Sequence, residues 1–479
     1  MAPRTEPESD DFVDDVATLT TAAQNKNSTA PRPSHSETDI TETKEKWNAA
    51  VPPTVSLPLL VMIDMFAVAL VVPLLHQYYR TAGVTSANQR ELLSSLFSSS
   101  QICGGLIIGA LSDAGFLSRR NTLFLSFAGS AASYALIVRG GLPSLVCSRV
   151  LVGLVKQTMT VTTALLARHT TAEERAHQIG RLNASSTVAW IVGPSVGALL
   201  YKHIHHSAPA IVACCLFVLN SIIAAVFLPR EEHNKNNSTS KNNTKSTAAS
   251  KFTSFTSNLR SCFSSKSLAS IVTSLLINYW VTRATSYASM ASYYEEMYGI
   301  EPHQRGYLSS YQQFLSFLAQ SMLVRPLLRF AGGERRAACL AALALSFATF
   351  SEIWSSLPIF VGVLCPIMSI SVALLALSLR SLLTQVAPKD SIGSVLAALD
   401  VLQNAAAVTV PFYRTFLFAA MGTVSVDNGA DLRGDPNPYT WLTSSTIHWL
   451  IASASLFFLL IRSAESKRSS SQEGKIKKL

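Results

Sequence analysis

Charge is what this sequence has least of. Only 14% of its 479 residues are Asp, Glu, Lys or Arg, against about 25% in an ordinary soluble domain. Cysteine is no more informative as a framework. The seven cysteines, Cys103, Cys147, Cys214, Cys215, Cys262, Cys339 and Cys365, are scattered and show neither metal-ligand nor disulfide-scaffold spacing. No nucleotide-binding glycine loop, metal-ligand cluster or nucleophile–base constellation appears, so the expectation is not an enzyme, with no cofactor and no metal. A filter-like glycine run between apolar segments is missing, which speaks against a channel. No cleavable signal peptide is expected at the N-terminus.

What the chain has instead is apolar sequence, 48% of it, in blocks of roughly 20 residues, the length that crosses a hydrocarbon core. Twelve are counted, near 55–75, 92–111, 122–138, 142–166, 179–201, 209–228, 268–292, 307–323, 337–353, 357–379, 393–416 and 440–461. The expected fold class is an all-α membrane protein of twelve transmembrane helices in two six-helix halves. Five segments follow: a polar, disordered cytoplasmic tail (1–46), an N-terminal six-helix bundle (47–228), a flexible cytoplasmic linker rich in Asn, Ser, Thr and Lys (229–266), a C-terminal six-helix bundle (267–462) and a basic cytoplasmic tail (463–479).

The net charge of +10 reflects topology and not a nucleic-acid partner. Arg119, Arg120, Arg168, Arg175, Arg181, Arg325, Arg329, Arg335 and Arg336, with the linker and the C-terminal tail, gather on one side. The opposite loops carry few cations, such as Arg80, Arg90, Arg139 and Arg433. The positive-inside rule then puts both termini in the cytoplasm. The sequons at Asn237 and Asn243 would face the cytoplasm and carry no glycan. Lys475 and Lys477, fifth and third from the end, resemble a dibasic retrieval signal, although lysines that flank a membrane give the same pattern. Whether the membrane is an endomembrane or the plasma membrane stays open.

Charges inside apolar blocks are expensive and mark function. Asp64 is the sole acid of the first span, about 14 Å from its cytoplasmic end at a rise of ~1.5 Å per residue. Arg149 and Lys156, in the fourth, are seven residues apart and share a face of a continuous helix. Their depths bracket that of Asp64, so an Asp–cation pair forms if the faces meet, and Arg149 is taken as the partner. A desolvated carboxylate beside a cation can load and release protons, and a permanent structural pair is the other reading. In the fifth span, Gly193-Pro194 with Gly197 predicts close helix approach and a proline inside a membrane helix. Trp190, Tyr279, Arg283, Tyr287, Gln312, Asp400 and Gln403 are candidates to line a solute cavity. Tyr279, Arg283 and Tyr287 lie on one helical face, and Gln313 and Asn404 sit beside members of the set.

The loop from Gly109 through Asp113 to Arg119 and Arg120 gives Asp113 a helix N-terminus to face and gives the arginines carboxylates to pair with. It resembles the cytoplasmic signature of the major facilitator superfamily, with Ala114 at a usual arginine position and two residues inserted before the arginine pair. Arg325 to Arg336 is a degenerate echo of it. The fourth-span Arg149-x-x-x-Gly153 and the fifth-span Gly193-Pro194-x-x-Gly197 are similar to further signatures of that superfamily. The first-span stretch from Asp64 to Pro73 resembles the tetracycline-resistance-like proton antiporters, and residues 149–199 resemble an orphan branch near them. The resemblance implies a secondary transporter of a small organic solute working by alternating access, proton-coupled as an antiporter through Asp64, Arg149 and Lys156. Its partners would be the solute, protons and the lipid bilayer, with no nucleic acid, and it would function as a monomer. It implies a cytoplasmic gate at Gly109, Asp113, Arg119 and Arg120. An uncoupled facilitator and a non-transporting receptor or scaffold are the alternatives.

Overall fold

The structure is a computed structural model that describes residues 52–84, 86–113, 117–170, 172–228, 263, 265–285, 290–387, 392–421 and 437–462. Among these residues there is helix and turn but no strand. Eight helices are long and apolar enough to cross a bilayer, and the described residues of the four remaining expected spans are helical too.

In the N-terminal half, α1 (Pro53–Val71) runs through a 3₁₀ turn, Val72–Leu74, into α2 (Leu75–Thr81). Then come α3 (Ala87–Asp113), α4 (Arg119–Arg139), α5 (Leu142–Val155), α6 (Thr158–His169), α7 (Ala172–His203) and α8 (Ala208–Phe227). The C-terminal half holds α9 (Lys266–Thr285), α10 (Met290–Tyr298), α11 (Pro302–Leu318), α12 (Val324–Ala331), α13 (Glu334–Glu352), α14 (Cys365–Val386), α15 (Ile392–Met421) and α16 (Pro438–Phe457). Three wide π-type turns, Ala319–Leu323, Phe360–Leu364 and Phe458–Arg462, interrupt the later helices.

Local chemistry sets the ends. The Ser118 side chain accepts from the Asn121 N–H to cap α4, and Asn437 does the same for α16 through Tyr439. Gly332 closes α12 in the left-handed region at φ 71°. Inside the bundle, hydroxyls return to the carbonyl one turn back, as in Thr162 to Thr158, Ser274 to Ser270 and Thr349 to Leu345. Small polar residues are thereby satisfied without water.

Packing separates the halves. One buried apolar cluster contains Leu60, Leu70, Phe127, Leu166, Leu182 and Phe217, all before residue 229. Another contains Ile271, Leu345, Leu375, Leu382, Trp449 and Leu456, all after residue 262. Large apolar side chains such as Leu106, Ile222, Phe347 and Phe416 are nonetheless exposed, as a lipid-facing surface requires and a water-facing one would not tolerate.

The halves also repeat each other's contacts. Arg120, at the start of the third span, donates to the Ala225 carbonyl at the end of the sixth. Arg335, at the start of the ninth, donates to the Leu460 carbonyl at the end of the twelfth, at 2.9 Å. In each case a cation meets the electronegative end of a helix.

Candidate transport site and gates

Two expectations about the fourth span need correction. It is not one helix: α5 stops at Val155, Lys156 and Gln157 leave helical geometry (Lys156 φ −74°, ψ 86°; Gln157 φ −122°, ψ 18°), and α6 restarts at Thr158. Arg149 and Lys156 therefore do not share a face of a continuous helix. And Asp64 takes Lys156, not Arg149. Lys156 Nζ donates to Asp64 Oδ1 at 2.5 Å. The break explains the choice, because it frees the Lys156 stem from helical geometry and lets the ammonium reach α1.

Asp64 has no accessible surface at all, and its Oδ2 is buried without a hydrogen-bond partner. The Lys156 ammonium also lies 4.9 Å from the centre of the Phe217 ring, a cation–π contact from the sixth span. The break is held from the third span: the Ser126 hydroxyl accepts from the Gln157 N–H at 3.3 Å and meets the Thr158 hydroxyl at 3.1 Å. One broken helix, one buried carboxylate and one cation thus meet inside the N-terminal half. A membrane protein tolerates backbone of this kind where it is buried in protein or lines a cavity. Arg149 keeps a buried Nε without a hydrogen-bond partner, and its charge acts on the Tyr79 and Tyr134 hydroxyls.

In α7, Gly193 and Gly197 press against α1. A Cβ at Gly193 would lie 2.6 Å from that of Ala69, and one at Gly197 would strike the Leu70 carbonyl oxygen. Between them Pro194 stays within the helix and packs the other way, across to the second half. A Cβ on Gly306 of α11 would strike the Pro194 carbonyl oxygen and lie 2.7 Å from the Ala198 Cβ. Nearby, the Ser195 N–H donates to Ser310 Oγ at 3.0 Å.

That contact lies at the end of the bundle where odd-numbered spans finish and even-numbered spans begin, here the distal end. Two ion pairs join the halves at the same end. Arg414 of α15 lies 2.7 Å from Glu91 of α3, both buried. Glu295 of α10 accepts from Arg80 of α2 at 3.1 Å and from Arg305 of α11 at 2.8 Å. Sequence reasoning missed these latches. It had Arg80 and Arg90 as loop cations, and the one available signal was an Arg90-Glu91 dipeptide at the mouth of the second span.

The remaining candidates are dispersed. Arg283 stacks on Tyr279, 4.9 Å from the ring centre, in agreement with a shared face, while Tyr287 lies outside the described residues. Gln312 donates to the Tyr294 hydroxyl at 3.5 Å. Trp190 and Gln403 are half-buried, and Asp400 lies within α15, with its side chain outside the described residues. Beside these, Tyr413 and His448 share a hydrogen bond of 2.5 Å, and Tyr413 packs on Trp280 at 4.6 Å. A cavity of about 450 Å³ at the distal ends of the last two spans is lined by Met421, Tyr439, Thr440, Thr443, Ser444 and Ile447. None of the candidate residues lines it. At the opposite end, Gly109 has open space around its Cβ position, and α3 ends at Asp113, whose side chain lies outside the described residues. Arg120 is engaged with a backbone carbonyl. Arg119 is half-buried.

A sequence model of the Major Facilitator Superfamily matches residues 57–411. The chain is 30% identical over 188 residues to the tetracycline resistance protein, class D, of Salmonella ordonez, covering 38% of this chain and 47% of that protein. It is 30% identical over 139 residues to major facilitator superfamily domain-containing protein 10 of Bos taurus, 29% of either chain. The chain thus spans about half the length of these curated relatives, or less. Among solved structures, the nucleoside transporter NupG superposes with a TM-score of 0.65 at 11% identity, over 86% of this chain and all of that one. The human organic anion transporter MFSD10 superposes with a TM-score of 0.57 at 19% identity, over 85% and 100%. At these identities the likeness is one of fold.

Proposed function

Because the chain belongs to the Major Facilitator Superfamily, whose sequence model matches 355 of its 479 residues (57–411), we propose that it is a secondary carrier of a small organic solute, working by alternating access as a monomer and coupled to protons as an antiporter. It is a carrier and not an enzyme. The observation that supports coupling is the Asp64–Lys156 pair at the break of the fourth span. A proton taken up on the Asp64 carboxylate removes its charge and loosens its hold on the Lys156 ammonium, which keeps its own protons. The broken helix is then free to shift against α1. Release of the proton on the other side of the membrane restores the pair.

Alternating access needs a gate at each end. With both termini cytoplasmic, as the charge bias implies, the distal end faces away from the cytoplasm. The Glu91–Arg414 and Arg80–Glu295 pairs, with the Gly306–Pro194 packing, then make this an arrangement shut on the outside. Gly109, Asp113, Arg119 and Arg120 would form the opposite gate, and Arg283, Tyr279, Trp190 and Gln403 would contact the solute.

The relatives are named for different solutes, so the test is a screen. Protein in liposomes with an internal pH dye is offered a tetracycline, a nucleoside and an organic anion. Solute movement that carries protons the other way in wild type, and not in Asp64→Asn, is the expected result. Proton-linked movement unaffected by Asp64→Asn would remove Asp64 from the mechanism, movement without protons in wild type would favour the uncoupled facilitator, and no movement of any solute would favour the receptor or scaffold.

A further inference from the structure

Asp64, Glu91 and Glu295 each meet a lysine or an arginine. Glu352 does not. It is the last residue of α13, 5% exposed, and the Tyr293 hydroxyl donates to its Oε1 at 2.7 Å. Among the described residues no Lys, Arg or His lies within ion-pair distance of it. The titratable groups around it are Tyr293, Tyr294 and Tyr298 of α10 and Cys365 of α14. From α15 and α16 the contacts on Tyr293 are apolar: Phe418, Trp441 and Leu442. A carboxylate taken from water without a cation is far costlier than a neutral carboxyl.

The helix that reaches Glu352 is the helix that carries the latch. In α10, Tyr293 faces Glu352, and two residues later Glu295 holds Arg80 of the other half. The same helix is seated on the second half by Tyr298, whose ring stacks on Phe360 at 4.9 Å and whose hydroxyl meets Ser355 at 2.7 Å. α10 is nine residues long, too short to hold its position without those contacts.

We propose that Glu352 is a second proton-binding site, which holds a proton while the distal end is shut and releases it only when α10 lifts and lets water in. The O–H bond of the carboxyl breaks to water on the distal side, the carboxylate becomes hydrated, and Glu295 moves away from Arg80. Alkaline conditions on the distal side then favour opening, and acid favours closure. The inference rests on the carrier reading for the meaning of the latch, but not on Asp64.

The test is hydrogen–deuterium exchange of the full chain in detergent, read on residues 290–298 and corrected for the intrinsic pH dependence of amide exchange. If opening releases one proton, the opening constant rises about tenfold per pH unit between the carboxyl's open-state and closed-state titration. That slope is expected in wild type and in Asp64→Asn, and it should be absent in Glu352→Gln, which stays protected. Infrared difference spectra taken across the same pH range should show a carboxylic-acid carbonyl band that Glu352→Gln removes and Asp64→Asn leaves. A pH slope and a band that both survive Glu352→Gln overturn the proposal, as does wild-type exchange with no pH slope. If Glu352→Gln does not fold, Tyr293→Phe takes its place: the proposal expects a shifted pH midpoint, and an unchanged midpoint refutes it. Loss of proton-linked transport in Asp64→Asn with an unaltered Glu352 slope separates the two sites, whichever of them fails.

Discussion

Arg414 and Glu91 stand 2.7 Å apart with 6% and 1% of their side chains exposed, and they come from opposite halves of the chain. A pair this deeply buried is little relaxed by water, and Arg90 is a second cation that acts on Glu91. Removing one partner of a buried pair costs up to about 3–5 kcal/mol, because the other loses its counter-charge. In a carrier the cost has a second consequence, since an arrangement that parts the halves at this end must rehydrate both groups.

Arg414→Ala and Glu91→Ala are each expected to lower stability by about that amount, whereas Glu91→Leu with Arg414→Leu should recover most of it. The check is the unfolding Tm of the purified protein in a double-mutant cycle. The double variant should also spend more time open at the distal end, seen as faster deuterium uptake in residues 87–96. Additive losses in the cycle would mean that the two groups do not interact.

Lys156→Gln should be more damaging than Arg149→Gln. It leaves Asp64 buried without its cation, whereas no carboxylate among the described residues pairs with Arg149. Asp64→Asn should rescue the folding of Lys156→Gln without restoring proton-linked transport. Yield of monodisperse protein and liposome transport, measured side by side, separate the two effects. Rescue of Arg149→Gln by Asp64→Asn, with none for Lys156→Gln, would reinstate the Asp64–Arg149 pairing.

Gly197→Leu and Gly306→Leu should fail in different ways. At Gly197 the added side chain collides with the Leu70 carbonyl inside the N-terminal half. Overpacking there should cost about 1–3 kcal/mol or more and lower Tm. At Gly306 the collision is with Pro194 of the other half, so each half can fold while their closure is blocked. Gly306→Leu is therefore expected to retain most of its Tm but to expose residues 190–198 and 302–310 to deuterium. Equal losses of Tm in both variants, with no added exchange, would make Gly306 an ordinary packing residue.

Much of the fold was legible because a bilayer makes a simple demand. Over their described residues the twelve apolar blocks are helical, the fourth with a break at Lys156 and Gln157, and Gly193 and Gly197 marked a close approach that α1 fills. Partners were harder to read. Spacing put Arg149 and Lys156 on one face at equal offsets from Asp64 and could not choose between them, since nothing in the residues Val155 to Thr158 announces that the helix will stop. The break is fixed by Ser126 from another span, a tertiary contact that no local pattern carries. The distal latches were hidden for a similar reason. Arg80, Glu91 and Glu295 sit at span ends, where a charge is cheap and looks like an ordinary flank. Only the meeting of two halves, more than two hundred residues apart along the chain, gives them a role.

The Arg80–Glu295–Arg305 latch should behave unlike the Glu91–Arg414 pair. Arg80 and Glu295 keep 30% and 29% of their side chains exposed, while Arg305 keeps 4%. Salt reaches partly exposed charges and screens them over a Debye length of about 8 Å at physiological strength, and over about 3 Å at 1 M. Exposed pairs are worth only about 0–1 kcal/mol. Arg80→Ala should thus leave Tm nearly unchanged, whereas Arg305→Ala, which removes the buried member, should lower it clearly. High salt should speed deuterium uptake at residues 290–298 in wild type, where Arg80 restrains the helix. In Arg80→Ala that restraint is already gone, so uptake should start faster and respond less to salt. A salt response of equal size in both proteins would place the screened contact elsewhere and leave α10 held by its tyrosines alone.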